Sequence, residues 1–162
     1  MFLNKQRFSE VIERTPLVSI DLVIEDENEQ VLLGERLNRP AQGFWFVPGG
    51  RILKDEKLEE AFARLTLEEL GQEFKLSKAK LLGPYTHLYN DNVFGNEFTT
   101  HYVAIAYKLV VNRSELKLPI DIQHARYFWC SPDELLTSDK VHIHTKWYFQ
   151  KTKDHHPNKT TS

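Results

Sequence analysis

The segment from residue 48 to residue 71 constrains the fold of this chain more than any other. Residues 48–50, Pro-Gly-Gly, interrupt the backbone, and the pattern after them predicts a helix over residues 57–70 that ends at Gly71. When successive helical residues are placed about 100° apart, Glu69 falls on the apolar side of this helix. A carboxylate on that side is costly unless it is paired with a cation or binds a metal ion.

Two interpretations of the helix stay open on its own residues. Arg64 lies four residues from Glu60 and four from Glu68, so a row of surface ion pairs would account for the charges. Gly49 and Gly50, in front of the helix, leave backbone groups that a ligand can approach closely. That arrangement favours a binding site for an ion or a phosphate.

The rest of the chain is predicted to be rich in strands. The apolar patterns indicate a helix around residues 8–12 that stops at Pro16, and strands at 17–25, 30–35, 81–88, 98–111 and 126–130. The polar turn at 25–29 predicts that the first two strands form a hairpin. Ser131 and Glu134 form a predicted capping box for the next helix, and a last helix is expected over residues 141–151.

Composition limits the class of protein. A length of 162 residues suits one compact domain, which we expect over residues 1–151, followed by a polar tail at 152–162. The formal net charge of −2 gives no general attraction to nucleic acid, and no apolar run is long enough to span a membrane. Cys130 is the only cysteine, so no intrachain disulfide can form and a cytoplasmic location is expected.

The spacing of charged residues and glycines around the helix resembles the Nudix box, G-x5-E-x7-R-E-U-x-E-E-x-G-U, where U is aliphatic. The matching residues are Gly50, Glu56, Arg64, Glu68, Glu69 and Gly71. The box departs from the pattern at Leu65, where the family has a glutamate, and at Thr66 and Gln72. The resemblance implies a Nudix fold of the α/β (α+β) class, with a mixed sheet between helices.

The departure at Leu65 changes the chemistry that the resemblance implies. Leu65 and Glu69 are one helical turn apart, and an ordinary family member would present two carboxylates to metal ions there. With one carboxylate, a single Mg²⁺ is expected, with Mn²⁺ able to substitute. A similar truncated box marks the GDP-mannose hydrolase branch of the family, in which water attacks the anomeric carbon of the sugar.

Other segments are similar to the same branch and extend the resemblance over about residues 1–150. They are Phe2-Leu3 with Phe8, and the runs at 15–21, 32–36, 38–51, 98–102 and 123–124. The resemblance implies that Glu69, the Gly49 carbonyl and Gln123 bind the Mg²⁺. It makes His124 the general base for a reaction that inverts the sugar configuration. In isolation, His124 would be interpreted as an exposed loop histidine.

The resemblance also assigns roles in binding the substrate. Arg36 and Arg51 would stabilise the charge that grows on the GDP leaving group, although surface salt bridges are the simpler interpretation. Asp21 would hold Arg36 or a sugar hydroxyl, and a buried structural pair is equally compatible with its position. Arg64 would orient Glu68 or Glu69.

The nucleotide base is expected against Phe2, Leu3 and Phe8, and Tyr102 is expected to reach a phosphate or hydroxyl. Packing within the helix core is the alternative for the three N-terminal residues. The family also implies a homodimer. His87 and His101 could line the cleft, whereas His142 and His144 have no evident partners for a metal site.

Two other functions remain compatible with the sequence. An ordinary Nudix pyrophosphatase would attack phosphorus and release GMP and a sugar phosphate, and Leu65 argues against it. A non-catalytic module that binds nucleotide sugars could keep a degenerate box. The presence of Glu69, Gln123 and His124 favours an enzyme over such a module.

Overall fold

The computed structural model describes residues 3–119 and 124–150, and for residues 124 and 125 it describes the backbone. The four α-helices of these residues are α1 (Lys5–Arg14), α2 (Leu58–Leu70), α3 (Pro132–Thr137) and α4 (Ile143–Lys146). The seven strands are β1 (Leu17–Glu25), β2 (Val31–Arg36), β3 (Trp45–Phe46), β4 (Gly49–Arg51), β5 (Lys80–Tyr89), β6 (Thr100–Val110) and β7 (His124–Cys130).

The strands form one mixed sheet. The order is β3-β2-β1-β6-β5, with β4 added to β1 and β7 added to β2. The long pairing of β1 with β6 is parallel, and the other pairings are antiparallel. The central strand β1 therefore has neighbours that come from distant parts of the chain.

Side chains alternate between the two faces of the sheet, as the geometry of a strand requires. On one face, Ile20, Leu22 and Ile24 of β1 pack with Phe62 of α2. On the other face, Val23 packs in a cluster with Leu135 of α3 and other apolar residues. The sheet is thus enclosed between helices, which agrees with the fold class expected from the sequence.

The predicted hairpin is confirmed, since β1 and β2 pair antiparallel with Glu25 opposite Val31. Farther from the turn, Ser19, Ile20 and Asp21 of β1 pair with β4. Two other expectations about local structure need correction. Gly49 and Gly50 do not simply interrupt the backbone, since they begin strand β4. The last helix is short, and a 3₁₀ turn at Trp147–Phe149 follows α4.

Helix α2 begins and ends close to the predicted positions. Its N-terminus is closed by the Glu60 carboxylate, which accepts a hydrogen bond of 2.8 Å from the Lys57 backbone N–H. Gly71 ends the helix in the left-handed conformation with φ of 72°. A Cβ atom at position 71 would lie 1.9 Å from the Lys117 carbonyl oxygen, so glycine is required there. Among the described residues, no helix is both long and apolar enough to cross a membrane.

Candidate active site

A cavity of about 410 Å³ opens beside β1 and β4 and is closed by α1 and two loops. Its walls include six residues that the sequence singled out, namely Phe8, Asp21, Arg36, Gly49, Arg51 and Tyr102. They come from α1, β1, β2, β4 and β6, and the three other strands all pair with β1. The fold therefore brings most of the candidate substrate-binding residues to one place.

The pairing of β1 with β4 sets the position of the glycine pair. Asp21 lies opposite Gly49, and Ile20 lies opposite Gly50. A Cβ atom at Gly49 would lie 2.4 Å from the Ile20 carbonyl oxygen and 2.9 Å from Oδ1 of Asp21. No side chain fits there, which leaves the backbone of β4 directly beside the Asp21 carboxylate.

Two of the predicted arginines are held in the cavity wall by aromatic rings. The Arg36 guanidinium lies 4.0 Å from the centre of the Phe46 ring and donates a hydrogen bond of 3.0 Å to the Pro40 carbonyl. The Arg51 guanidinium lies 4.3 Å from the centre of the Phe8 ring. Such contacts orient the planar groups and leave donors for an anionic ligand.

Asp21 is a carboxylate in the same cavity wall as these arginines. Burial raises its pKa from 3.8 to about 6, while a hydrogen bond from the Tyr148 hydroxyl and the charge of Arg36 oppose that rise. Tyr148 also lies 3.3 Å from Nε2 of His87. The sequence did not single out Tyr148, and no local signal marked it, because the 3₁₀ turn that carries it reaches the site through tertiary packing.

Three histidines form a cluster of rings beside the cavity. The ring centres of His87 and His144 are 4.2 Å apart, those of His144 and His142 are 4.4 Å apart, and His142 stacks on Phe46 at 4.6 Å. Burial, together with mutual repulsion and the charge of Arg36, lowers their pKa values to about 3 for His87, 4 for His142 and 2 for His144. The rings are therefore neutral near pH 7.

His87 is also part of the cavity wall, and the sequence had allowed for this position. His142 and His144 have a neighbour in His87, which stacks on His144, while His144 meets His142 edge to face. Among the side chains that the structure describes, in residues 3–119 and 126–150, no three of His, Cys, Asp or Glu are grouped to hold a metal ion. His142 of this cluster stacks on Phe46, whose ring lies under the Arg36 guanidinium.

The acidic residues of α2 differ sharply in environment. Glu69 is fully buried, as its place on the apolar side of the helix predicted. The burial of Tyr127, together with the charge of Glu69, raises the pKa of Tyr127 to about 12. The Glu68 side chain is 42% exposed and pairs with Arg64 at 3.1 Å. Arg64 does not pair with Glu60 as the spacing had allowed, because Glu60 caps the helix.

Arg64 joins α2 to the segment in front of it. Its guanidinium donates to both oxygens of Glu56, at 2.7 and 2.9 Å, and to the Arg51 carbonyl at 2.9 Å. The last bond fixes β4, which carries Gly49 and Arg51. Arg64 thus positions the cavity wall through the backbone, in addition to its pairing with Glu68.

Leu65 fills the place where the Nudix pattern has a carboxylate. It is 1% exposed, and a Cβ atom at Gly50 would lie 2.5 Å from its Cδ2 atom. The leucine therefore packs tightly against β4. Glu69 follows one turn later on the same side of the helix.

Two of the three predicted metal ligands lie within the described residues. Glu69 is buried and is not among the cavity-lining residues, whereas Gly49 lines the cavity. Carboxylate and carbonyl oxygens are groups that a hard divalent cation prefers. Gln123, the third predicted ligand, and Phe2 lie outside the described residues. The backbone of His124 pairs with Arg36, whose side chain is in the cavity wall. Leu3 is described but is not among the cavity-lining residues.

Known proteins are similar to this chain in sequence. A NUDIX domain matches residues 15–150. Low-salt glycan biosynthesis protein Agl8 of Haloferax volcanii is 39% identical over 116 residues, which is 72% of this chain and 71% of that protein. An ADP-ribose pyrophosphatase of Methanocaldococcus jannaschii is 34% identical over 113 residues, which is 70% of this chain and 62% of that protein.

Solved structures share the fold. A MutT NUDIX hydrolase from Burkholderia pseudomallei matches with a TM-score of 0.67 and 26% identity, over 86% of this chain and all of that chain. The NUDIX domain of NrtR from Shewanella oneidensis, complexed with ADP ribose, matches with a TM-score of 0.61 and 18% identity, over 90% of this chain and 96% of that chain. The expected Nudix fold is confirmed.

Proposed function

The chain belongs to the Nudix family, since the domain match and a relative at 39% identity both cover most of it, and we propose on that premise that it hydrolyses a GDP-hexose. Members of this family are hydrolases, so the chain is an enzyme. The proposed products are GDP and the free sugar. GDP-mannose is the proposed substrate, with GDP-glucose also accepted, and the relative named for glycan biosynthesis supports a sugar-linked role.

One observation carries the choice of reaction, and it is the packing of Leu65 against Gly50. Cleavage of a diphosphate by attack at phosphorus is helped by several metal ions, which need several carboxylates. Here an apolar side chain occupies one of those positions and is 1% exposed. The remaining buried carboxylate, Glu69, suits one ion, which supports attack at the sugar carbon.

The metal site of this proposal consists of Glu69, the Gly49 carbonyl and Gln123. All three are oxygen donors, and Mg²⁺ prefers such ligands, with Mn²⁺ able to replace it. When bound there, the ion would neutralise part of the charge on the diphosphate. Arg64 supports the site indirectly, because it fixes both β4 and Glu68.

His124 is the proposed general base. It would accept a proton from the water that attacks the anomeric carbon, while the bond between that carbon and the β-phosphate oxygen breaks. The electron pair of this bond goes to GDP, and attack from the opposite side inverts the sugar. Pairing of the His124 backbone with Arg36 supports this role, since Arg36 lies in the cavity wall.

The cavity walls fit the leaving group. Arg36 and Arg51 offer fixed guanidinium groups to the diphosphate. Asp21 would hold Arg36 or a sugar hydroxyl, and Tyr102 would reach a phosphate or a hydroxyl, since both line the cavity with Arg36. Phe8 offers an aromatic surface to the base, and Phe2 and Leu3 are proposed to complete it. Among the residues that the structure describes, the wall carries three arginines against one aspartate, which favours a ligand with more than one negative charge.

The experiment that tests the proposal is hydrolysis of GDP-mannose with Mg²⁺ in ¹⁸O-labelled water. The expected result is label in the free mannose and none in GDP. Label in GDP would mean attack on phosphorus and would reject the proposed mechanism. Failure to form products while the substrate still binds would favour a non-catalytic binding module.

A second candidate is a pyrophosphatase that attacks phosphorus. The 34% identity to an ADP-ribose pyrophosphatase favours this alternative. The same experiment separates the two, because a pyrophosphatase would release GMP and mannose 1-phosphate. A control reaction with ADP-ribose in place of GDP-mannose would show whether the substrate has a different base and sugar from those proposed.

We also propose that the enzyme is a homodimer. The outer strand β5 supports this, because Leu81 and Leu88 on it are 56% and 55% exposed. Apolar side chains on an edge strand are commonly covered by a partner. Light scattering after size-exclusion chromatography should give twice the mass of the 19.0 kDa chain. A monomer mass at micromolar concentration would reject the dimer.

A further inference from the structure

Arg39 lies where two loops meet at the cavity. One loop joins β2 to β3, and the other joins β5 to β6. The Nη1 atom of Arg39 donates a hydrogen bond of 2.8 Å to Oδ1 of Asn96, and its Nε atom lies 3.9 Å from Oδ2 of Asp91. Arg39 is thus the side chain that connects these two walls.

The loop that holds the acceptors is ordered by its own hydrogen bonds. Asn92 is 1% exposed, and its amide donates to the Phe98 carbonyl at 2.8 Å and accepts from the Phe94 backbone at 2.8 Å. The Thr100 hydroxyl donates to the Asp91 carbonyl at 2.7 Å. Asn96 and Asp91 therefore offer a fixed support to Arg39.

The loop that carries Arg39 is also held by Arg36, the last residue of β2. The Arg36 side chain donates a hydrogen bond to the carbonyl of Pro40, the residue after Arg39. The Arg36 backbone N–H donates to the Phe44 carbonyl at 2.9 Å, and the Arg36 carbonyl accepts a hydrogen bond from the Gly43 N–H at 2.8 Å. Arg39 is consequently placed close to an arginine already proposed to bind phosphate.

The hydrogen-bonding capacity of Arg39 exceeds what these contacts use. A guanidinium has five N–H donors in a fixed plane. Asn96 accepts one, and the Asp91 contact of 3.9 Å is too long for a hydrogen bond. The Arg39 side chain is 42% exposed and is part of the cavity wall. Guanidinium donors of a cavity-lining residue that lack a protein acceptor among the described residues suit phosphate oxygens.

We propose that Arg39 is a third phosphate-binding arginine, which contacts the diphosphate of the bound nucleotide while Asn96 holds its guanidinium in place. This inference rests on the proposed function, because it takes a nucleoside diphosphate as the leaving group. It adds a residue and a loop to the binding site. The alternative is that Arg39 only ties the two loops together.

The test is calorimetric titration of the full chain with GDP, ADP and guanosine. Arg39→Gln should weaken GDP binding about 10- to 100-fold, since hydrogen bonds to a charged group are lost. Guanosine binding should stay the same, because guanosine has no phosphate. Arg39→Lys should lie between the two, since it keeps the charge but not the fork of donors. Asn96→Ala should weaken GDP binding by a smaller factor.

Arg126→Gln is the matched control. Arg126 also pairs with a carboxylate, at 3.0 Å from Glu35, but its side chain is 71% exposed and is absent from the wall of this cavity. GDP binding by this variant should equal that of the unaltered protein. Thermal melting of each variant should differ little, because the Arg39 contacts are exposed.

Each other outcome has a distinct meaning. Unchanged GDP binding in Arg39→Gln, or equal weakening of GDP and guanosine, would overturn the role of Arg39 and leave the proposed function intact. Binding of ADP but not GDP would reject only the proposal that the nucleotide base is guanine. The effect of Arg39→Gln would then be measured on ADP binding. If neither diphosphate bound the unaltered protein, the proposed function and the inference would fall together.

Discussion

Asp21 couples the folding of the chain to pH at the scale of a single residue. Its pKa in the folded protein is about 6, above the ordinary 3.8, because burial disfavours the charged form. The folded state therefore holds the Asp21 proton more tightly than the unfolded state does. The free energy of unfolding from this group is greatest below pH 3.8 and declines as the pH rises through 6.

We expect Asp21→Asn to raise the thermal midpoint at pH 7, measured in EDTA, while lowering kcat. The gain in unfolding free energy should be up to about 3 kcal/mol, since about two pKa units are removed. It should vanish in acid, where Asp21 is already protonated. A lower midpoint at pH 7 would show that the charge of Asp21 stabilises the fold.

Asp26→Asn is the matched control, with an effect of opposite sign. Although burial raises the pKa of Asp26, hydrogen bonds from the Gln30 backbone N–H and the Arg113 side chain outweigh that effect and lower it. Replacing this carboxylate removes acceptors that are in use. The Asp26→Asn protein should therefore melt at a lower temperature at pH 7.

His124→Gln tests the general base directly. We expect kcat to fall by about two to four orders of magnitude, which is the range for loss of general base catalysis, while GDP-mannose binding changes little. Rates and affinities should be measured at the same Mg²⁺ concentration. Equal losses of turnover and binding would reject the assignment, because they would indicate a binding role.

At the scale of elements, Arg64 joins α2 to β4. Arg64→Gln should lower the free energy of unfolding by about 1 to 3 kcal/mol, since the Glu56 carboxylate and the Arg51 carbonyl lose a donor. It should also lower kcat/KM, because β4 carries Gly49 and Arg51. Denaturant unfolding and steady-state rates check both effects.

The pH dependence of this loss has a definite sign. Hydrogen bonds from Arg64 are the largest cause of the lowered pKa of Glu56, and burial opposes them. The stabilisation is present at neutral pH and is lost as the pH falls through the folded-state pKa. The free energies of unfolding of Arg64→Gln and the unaltered protein should thus converge in acid.

Lys54→Gln is the control. It should have no effect on the free energy of unfolding, since the side chains of Lys54 and Asp55 are 83% and 85% exposed.

At the scale of the whole molecule, the site is expected to bind one divalent ion per chain. Titration with Mn²⁺, followed by electron paramagnetic resonance, should saturate at one ion, and EDTA should abolish hydrolysis. Glu69→Gln should remove this binding, while Glu68→Gln should retain it, because Glu68 pairs with Arg64 and is partly exposed. Two ions per chain would contradict the account of Leu65.

Much of the secondary structure follows from local patterns. The strand at 17–25 was predicted with the bounds that β1 has, and helix α2 starts one residue after its predicted start. Gly71 and the Ser131 cap act through the few residues beside them, so sequence alone reveals them. The burial of Glu69 follows from helical periodicity in the same way.

Contacts between distant segments were not visible in the sequence. The parallel pairing of β1 with β6 and the insertion of β4 depend on the whole sheet. The same holds for the histidine cluster, whose members come from β5, the residue before α4 and α4 itself. Arg39 and Tyr148 could not be recognised as site residues, because their partners lie 57 and 127 positions away.

Helix α1 has a practical consequence for anyone who prepares this protein. The family match begins at residue 15, whereas Phe8 and Ile12 of α1 lie in the cavity wall. A protein trimmed to the matched residues would retain the sheet and both of its packed faces but would lack one side of the cavity. An affinity tag joined next to α1 would be close to the same wall. One side of the cavity wall therefore lies outside the residues that define the family, and a shortened protein can keep the family fold while that side is lost.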